Sequence, residues 1–115
     1  MSTYLITGAN RGIGLELARQ VKDREDDVIA TCRSSSAELD SLSVHVVTGI
    51  DITSADSVIK LKKYLKTTKI DVLIQNAGIA EFNSLSTLDP KSILNQFNVN
   101  ALSPLRFVQA MQAYL

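Results

Sequence analysis

Three glycines near the start of the chain restrict its fold more than any other feature. They stand in the segment Gly8-Ala-Asn-Arg-Gly12-Ile-Gly14, directly after the short apolar run at residues 4–6. From Gly12 onwards, apolar residues recur at the three- and four-residue spacing of an amphipathic helix, namely Ile13, Leu17, Ala18 and Val21. This pattern predicts a buried strand that turns sharply into a helix.

Each glycine of this turn has a separate expected task. Gly8 allows the tight turn, Gly12 lets a pyrophosphate approach the backbone, and Gly14 lets the helix pack closely on the sheet. The free N–H groups at the helix start, together with about half a positive charge from the helix dipole, attract phosphate. We therefore predict a site for the pyrophosphate of a dinucleotide; the alternative is a plain glycine-rich turn.

The rest of the chain alternates strand and helix patterns. Strands are predicted at residues 4–6, 28–32, 44–47 and 70–74, with a loop at residues 34–36. Helices are predicted from Gly12, after the N-cap Ser54, and from Asp89-Pro90 to the end, with a break or fresh start at Pro104. Such alternation favours a parallel sheet covered on both faces.

The predicted organisation is one α/β domain over residues 1–115, a Rossmann-type doubly wound parallel sheet. We expect it to be truncated after the fourth strand and its following helix. The last residues lie within a helical pattern that has no glycine cap, and the fourth strand is expected at an open, apolar sheet edge. Both features indicate a chain that has been cut short.

Composition excludes several classes of function. Twelve basic residues balance twelve acidic ones, which argues against a nucleic-acid binder and against a membrane surface. With one cysteine, Cys32, and one histidine, we expect neither an internal disulfide nor a metal site. No leader-like or bilayer-length apolar run is present, so a cytoplasmic location is expected.

Three motifs in this order resemble the classical short-chain dehydrogenase/reductase family. They are Thr7-Gly-Ala-Asn-Arg-Gly-Ile-Gly14, Asp51 after the third strand, and Asn76-Ala-Gly78 after the fourth, with Gln75 in place of the family's first Asn. Gly12-Ile-Gly-Leu-Glu16, Asp51-Ile52 and residues 71–79 are most similar to the carbonyl-reductase and C-factor-like branch. The resemblance covers essentially the whole chain, which corresponds to the N-terminal, cofactor-binding half of a family member.

The choice of dinucleotide depends on two arginines. NAD sites usually carry an acidic residue at the end of the second strand, but this chain has Cys32 there, followed by Arg33. The resemblance implies that a basic residue at this place, or at Arg11 in the glycine turn, marks NADP preference. A guanidinium matches the geometry of a phosphate, so we predict NADP rather than NAD. The alternative for each arginine is an ordinary exposed charge.

The resemblance extends to the rest of the cofactor site. It implies that Asp51 accepts a hydrogen bond from the adenine amino group, although a cap at a strand end is an equal alternative. It also implies that Asn76-Ala-Gly78 steadies the sheet and lies against the ribose. The full predicted cofactor-binding set is Gly8, Asn10, Arg11, Gly12, Ile13, Gly14, Arg33, Asp51, Ile52, Asn76, Ala77 and Gly78.

The family resemblance implies hydride transfer between nicotinamide and a carbonyl or alcohol. It also implies a catalytic tyrosine, a lysine four residues later, a serine and a relay asparagine. Asn100 matches that asparagine; a capping or kink role before Pro104 is the alternative. No Tyr-x-x-x-Lys occurs in the 115 residues, so this chain alone is expected to lack turnover.

Two other functions therefore stay open: a standalone dinucleotide-binding or regulatory module, and an inactive fragment. The family also implies a subunit contact through the C-terminal helix. The substrate is not defined by these residues.

Overall fold

The computed structural model describes residues 1–115 as four strands that alternate with helices. In chain order the elements are β1 (Thr3–Thr7), α1 (Gly12–Asp23), β2 (Asp27–Thr31), α2 (Ala37–Asp40), β3 (His45–Val47), α3 (Ala55–Leu65), β4 (Val72–Ile74), α4 (Pro90–Phe97), a π-helical turn (Asn98–Leu102), α5 (Ser103–Met111) and a 3-10 turn (Gln112–Tyr114). All strand pairs are parallel, in the order β3-β2-β1-β4. The predicted Rossmann-type α/β fold is confirmed.

The central strand β1 contributes to two separate cores, one on each face of the sheet. Leu5 and Ile6 are both fully buried, and because they alternate along the strand they face opposite sides. Leu5 packs in a cluster with Leu61 of α3 and Phe107 of α5. Ile6 belongs to a second cluster, with residues of α1 and α2. Helices therefore cover both faces, as expected for a doubly wound sheet.

The strand order places a crevice beside the glycine turn. The chain runs outward from β1 through β2 to β3, then returns to add β4 on the other side of β1. Ligands of open α/β sheets bind at the carboxyl ends of the strands where this direction changes. The turn after β1 and the segment after β4 meet at that point.

The element boundaries differ in detail from the sequence predictions. β4 begins at Val72 rather than at residue 70, because the Ile70 N–H donates to the Tyr114 carbonyl (2.7 Å) instead of to the sheet. The single-turn helix α2 was not predicted. It follows the predicted loop, is capped by Ser36, and is anchored by the fully buried Leu39.

The long C-terminal helical segment changes its winding before Pro104. α4 begins as predicted, with Asp89 as N-cap and Pro90 in the first turn. The π-helical turn then leads directly into α5, so helical geometry restarts near Pro104 without a chain break. Proline has no N–H to donate to the carbonyl of Asn100 four residues earlier, which favours a locally wider turn.

The strands β3 and β4 form the two edges of the sheet, and β4 is partly exposed over its whole length. The predicted edge position of the fourth strand is confirmed. None of the helices is both long and apolar enough to cross a membrane.

Candidate cofactor site

The glycine turn after β1 has the backbone conformation that its sequence predicts. Gly8 and Gly12 have φ values of +63° and +56°, in the left-handed region that glycine adopts most readily. At Gly8 a Cβ would lie 2.9 Å from the Ala77 Cα, whereas at Gly12 it would meet nothing within 4 Å. The space at Gly8 is therefore limited by the segment after β4, while Gly12 faces open space.

Gly14 brings helix α1 into close contact with the turn. A Cβ at this position would overlap the Gly8 carbonyl oxygen and lie 2.5 Å from Nδ2 of Asn76. Close packing was predicted for Gly14, but its immediate neighbours are the turn and the Asn76 amide rather than the body of the sheet.

The start of α1 differs from the starts of α2, α3 and α4. Those three helices are capped by the side chains of Ser36, Ser54 and Asp89. The N-cap of α1, Arg11, makes no side-chain capping bond. The first N–H groups of an α-helix have no intrahelical acceptor, so those at the start of α1 are available to an external anion.

A cleft of about 730 Å³ opens at this end of the sheet. Every predicted cofactor-binding residue except Gly14 lines it. Gly14 is buried behind the turn. The remaining lining residues are Thr31, Cys32, Ile50, Thr53, Ile79, Asn95 and Val99.

The two arginines singled out in the sequence line the same cleft. Arg11 and Arg33 are both exposed, and neither side chain makes a hydrogen bond or ion pair within the protein. Cys32 lies between the end of β2 and Arg33 along the chain, and burial raises the pKa of its thiol. After β2 the chain thus has a buried cysteine where NAD sites usually present a carboxylate, and an exposed guanidinium at the next residue.

Asp51 uses one carboxylate oxygen to shape its own loop. Oδ1 accepts from the N–H (2.9 Å) and the hydroxyl (2.7 Å) of Thr53. These bonds, the backbone one foremost, lower the pKa of Asp51 below its usual value. Oδ1 therefore has the capping role that was the alternative for Asp51. Oδ2 accepts no hydrogen bond within the protein.

The segment after β4 is tied to β1 by two side chains. Asn76 Nδ2 donates to the Gly8 carbonyl (3.0 Å), and the Ala77 N–H donates to Oγ1 of Thr7 (3.1 Å). Thr7 is almost completely buried. It opens the first motif of the family resemblance, but it is not among the predicted cofactor-binding residues.

Asn100 does not line the cleft, but its side chain is hydrogen-bonded to Ile79, which does. Its Oδ1 accepts from the Ile79 N–H (2.8 Å), and its Nδ2 donates to the Ile79 carbonyl (2.7 Å). The side chain therefore works as a clamp between the π-helical turn and Ile79. The catalytic role of Asn100 stays a prediction.

None of the three tyrosines lines the cleft. Tyr4 accepts a hydrogen bond from Arg24 (2.6 Å), Tyr64 lies on α3, and the Tyr114 hydroxyl is 3.5 Å from the Lys62 carbonyl. The lining of the cleft therefore contains no phenol.

Comparisons with known proteins agree with this site. The family model described as short chain dehydrogenase matches residues 2–115. The chain is 38% identical over 117 residues to 1-hydroxy-2-glutathionyl-2-methyl-3-butene dehydrogenase of Rhodococcus sp. (strain AD45), covering 100% of this chain and 52% of that protein. It thus spans about half the length of this relative.

Solved structures of the same kind superpose closely on the chain. A carbonyl reductase from Pseudomonas aeruginosa PAO1 matches with a TM-score of 0.90 and 32% identity, over 100% of this chain and 57% of that one. A short-chain dehydrogenase/reductase from Burkholderia multivorans with bound NADP matches with a TM-score of 0.89 and 27% identity. This match covers 98% of this chain and 53% of that one. The chain therefore belongs to the short chain dehydrogenase family, as its motifs predict.

Proposed function

We propose that the chain is the NADP(H)-binding portion of an oxidoreductase that transfers hydride between nicotinamide and a carbonyl or alcohol substrate. The observation that carries this proposal is the uncapped start of α1, which opens on a cleft flanked by Arg11 and Arg33. When bound, the nicotinamide would supply or accept the hydride.

The lining residues fit the parts of the cofactor. The N–H groups at residues 12–14 would hold the pyrophosphate, because no side chain of the protein competes for them. Arg11 and Arg33 would hold the 2′-phosphate of NADP, since both guanidinium groups are exposed and unpaired. Oδ2 of Asp51 and the side chain of Ile52 would contact the adenine, and the backbone of residues 77–78 the ribose.

Asn100 is proposed as a relay residue through its carbonyl oxygen. Ile79 engages both polar atoms of the Asn100 side chain, which leaves the main-chain carbonyl as the group through which Asn100 would act. A water molecule could then be held at this oxygen.

The proposal is tested by calorimetric titration with 2′,5′-ADP and 5′-AMP, which differ only in the 2′-phosphate. The chain should bind 2′,5′-ADP more tightly than 5′-AMP. The Arg33→Ala substitution should lower the affinity for 2′,5′-ADP by about ten- to a hundredfold, which corresponds to the loss of one charge-assisted hydrogen bond. Binding of 5′-AMP should change little. Arg106→Ala, which removes an exposed arginine outside the cleft, is the matched control. Equal affinity for the two ligands would refute NADP preference.

Binding without turnover is the second candidate function for the isolated chain. It is favoured because all three tyrosines lie outside the cleft and none precedes a lysine by four residues. NADPH should therefore bind, while NADPH oxidation with a panel of aldehydes and ketones should stay at the rate without protein. Carbonyl reduction at an enzymic rate would contradict this assignment.

A further inference from the structure

The glycine turn is held in place at three points. The Ala9 N–H donates to the Thr31 carbonyl (3.2 Å), and the Gly8 carbonyl accepts from Asn76. The third point is the Asn10 carbonyl, which accepts from the hydroxyl of Ser36 (2.5 Å). Ser36 comes from the loop after β2, the same loop that contains Arg33.

The hydroxyl of Ser36 has two partners at once. It donates to the Asn10 carbonyl and accepts from the Leu39 N–H (3.1 Å), which caps α2. Leu39 is fully buried and belongs to the core cluster of α1. Ser36 therefore joins the turn that carries Arg11 to a helix fixed in the core.

The bond at Asn10 restricts the residue that follows it. A peptide unit is planar, so fixing the Asn10 carbonyl also fixes the direction of the Arg11 N–H. The Arg11 backbone is extended (φ −159°, ψ 171°), and its side chain makes no bond within the protein. The position of this guanidinium thus depends on the backbone that Ser36 holds.

We propose that Ser36 is a positioning residue for recognition of the ligand's 2′-phosphate. It sets the glycine turn against the loop after β2, and so sets Arg11 relative to Arg33. This inference rests on the proposed NADP site and adds a residue that the cofactor itself need not touch.

The test measures the ratio of 2′,5′-ADP affinity to 5′-AMP affinity in the full chain. Ser36→Ala should lower this ratio by about three- to tenfold. The reason is that the substitution removes the hydrogen bond to the Asn10 carbonyl, so Arg11 is no longer oriented by it. Ser36→Thr, which retains a hydroxyl, should restore most of it. Ser36→Gly removes the hydroxyl but costs a helix cap little, so it should lower the ratio even if Ser36→Ala folds poorly.

Asp89→Ala serves as the matched control, because it removes a helix cap remote from the glycine turn. It should lower the urea midpoint while leaving the ratio unchanged. The inference is overturned if Ser36→Gly retains the wild-type ratio, or if Asp89→Ala lowers the ratio equally. If the wild-type chain itself does not prefer 2′,5′-ADP, the proposed function fails first and this inference falls with it.

Discussion

Substitution of Gly14 by alanine sets two effects of opposite sign against each other. Gly14 lies in the first turn of α1, and inside a helix alanine is favoured over glycine by about 1 kcal/mol. If helix propensity decided the outcome, Gly14→Ala would stabilise the protein. The surroundings of Gly14 predict the reverse.

The added Cβ would overlap the Gly8 carbonyl oxygen and lie 2.5 Å from Nδ2 of Asn76. Both neighbours are held, because they are hydrogen-bonded to each other at 3.0 Å. Overpacking of this kind costs about 3 kcal/mol, and a weakened Asn76–Gly8 bond costs about 1 kcal/mol more. After the gain in helix propensity, the expected net loss is about 3 kcal/mol.

Urea unfolding followed by far-ultraviolet circular dichroism measures this loss. With a slope of about 2 kcal/mol per molar, the midpoint should fall by about 1.5 M. Gln20→Ala, at an exposed position of the same helix, is the control and should change the midpoint little. A Gly14→Ala variant as stable as the wild type, or more stable, would refute the steric reasoning.

Two further predictions concern stability. Phe107→Ala should cost about 3–5 kcal/mol, because the ring is fully buried between α3 and the sheet. Phe82→Ala should cost almost nothing, since that ring is 96% exposed; equal urea midpoints for the two variants would contradict this core assignment. The pKa of Asp51 is lowered in the folded state, so its stabilising contribution is present above the ordinary value of 3.8 and is lost as the pH falls through the folded-state pKa. The stability difference between wild type and Asp51→Asn should therefore shrink on acidification below pH 3.8; a difference that is constant with pH would contradict it.

The sequence alone determined the features that depend on neighbouring residues. The positive φ values at Gly8 and Gly12, the cap at Ser54 and the helix start at Asp89-Pro90 follow from local backbone sterics and short-range hydrogen bonds. The apolar runs likewise indicated the four strands, and their alternation with helices indicated a parallel sheet. The same properties predicted a dinucleotide site at the glycine turn, and the turn lines a cleft in the structure.

Only the tertiary structure decided which polar side chains hold that cleft together. Ser36 and Asn10 are 26 residues apart, Ile79 and Asn100 are 21 apart, and Thr7 and Ala77 are 70 apart. A hydroxyl or amide can pair with any backbone group that folding brings near, so sequence spacing does not specify its partner. For this reason a motif could point to Asn100, while the clamp that its side chain makes on Ile79 depends on how folding brings the π-helical turn against the segment after β4.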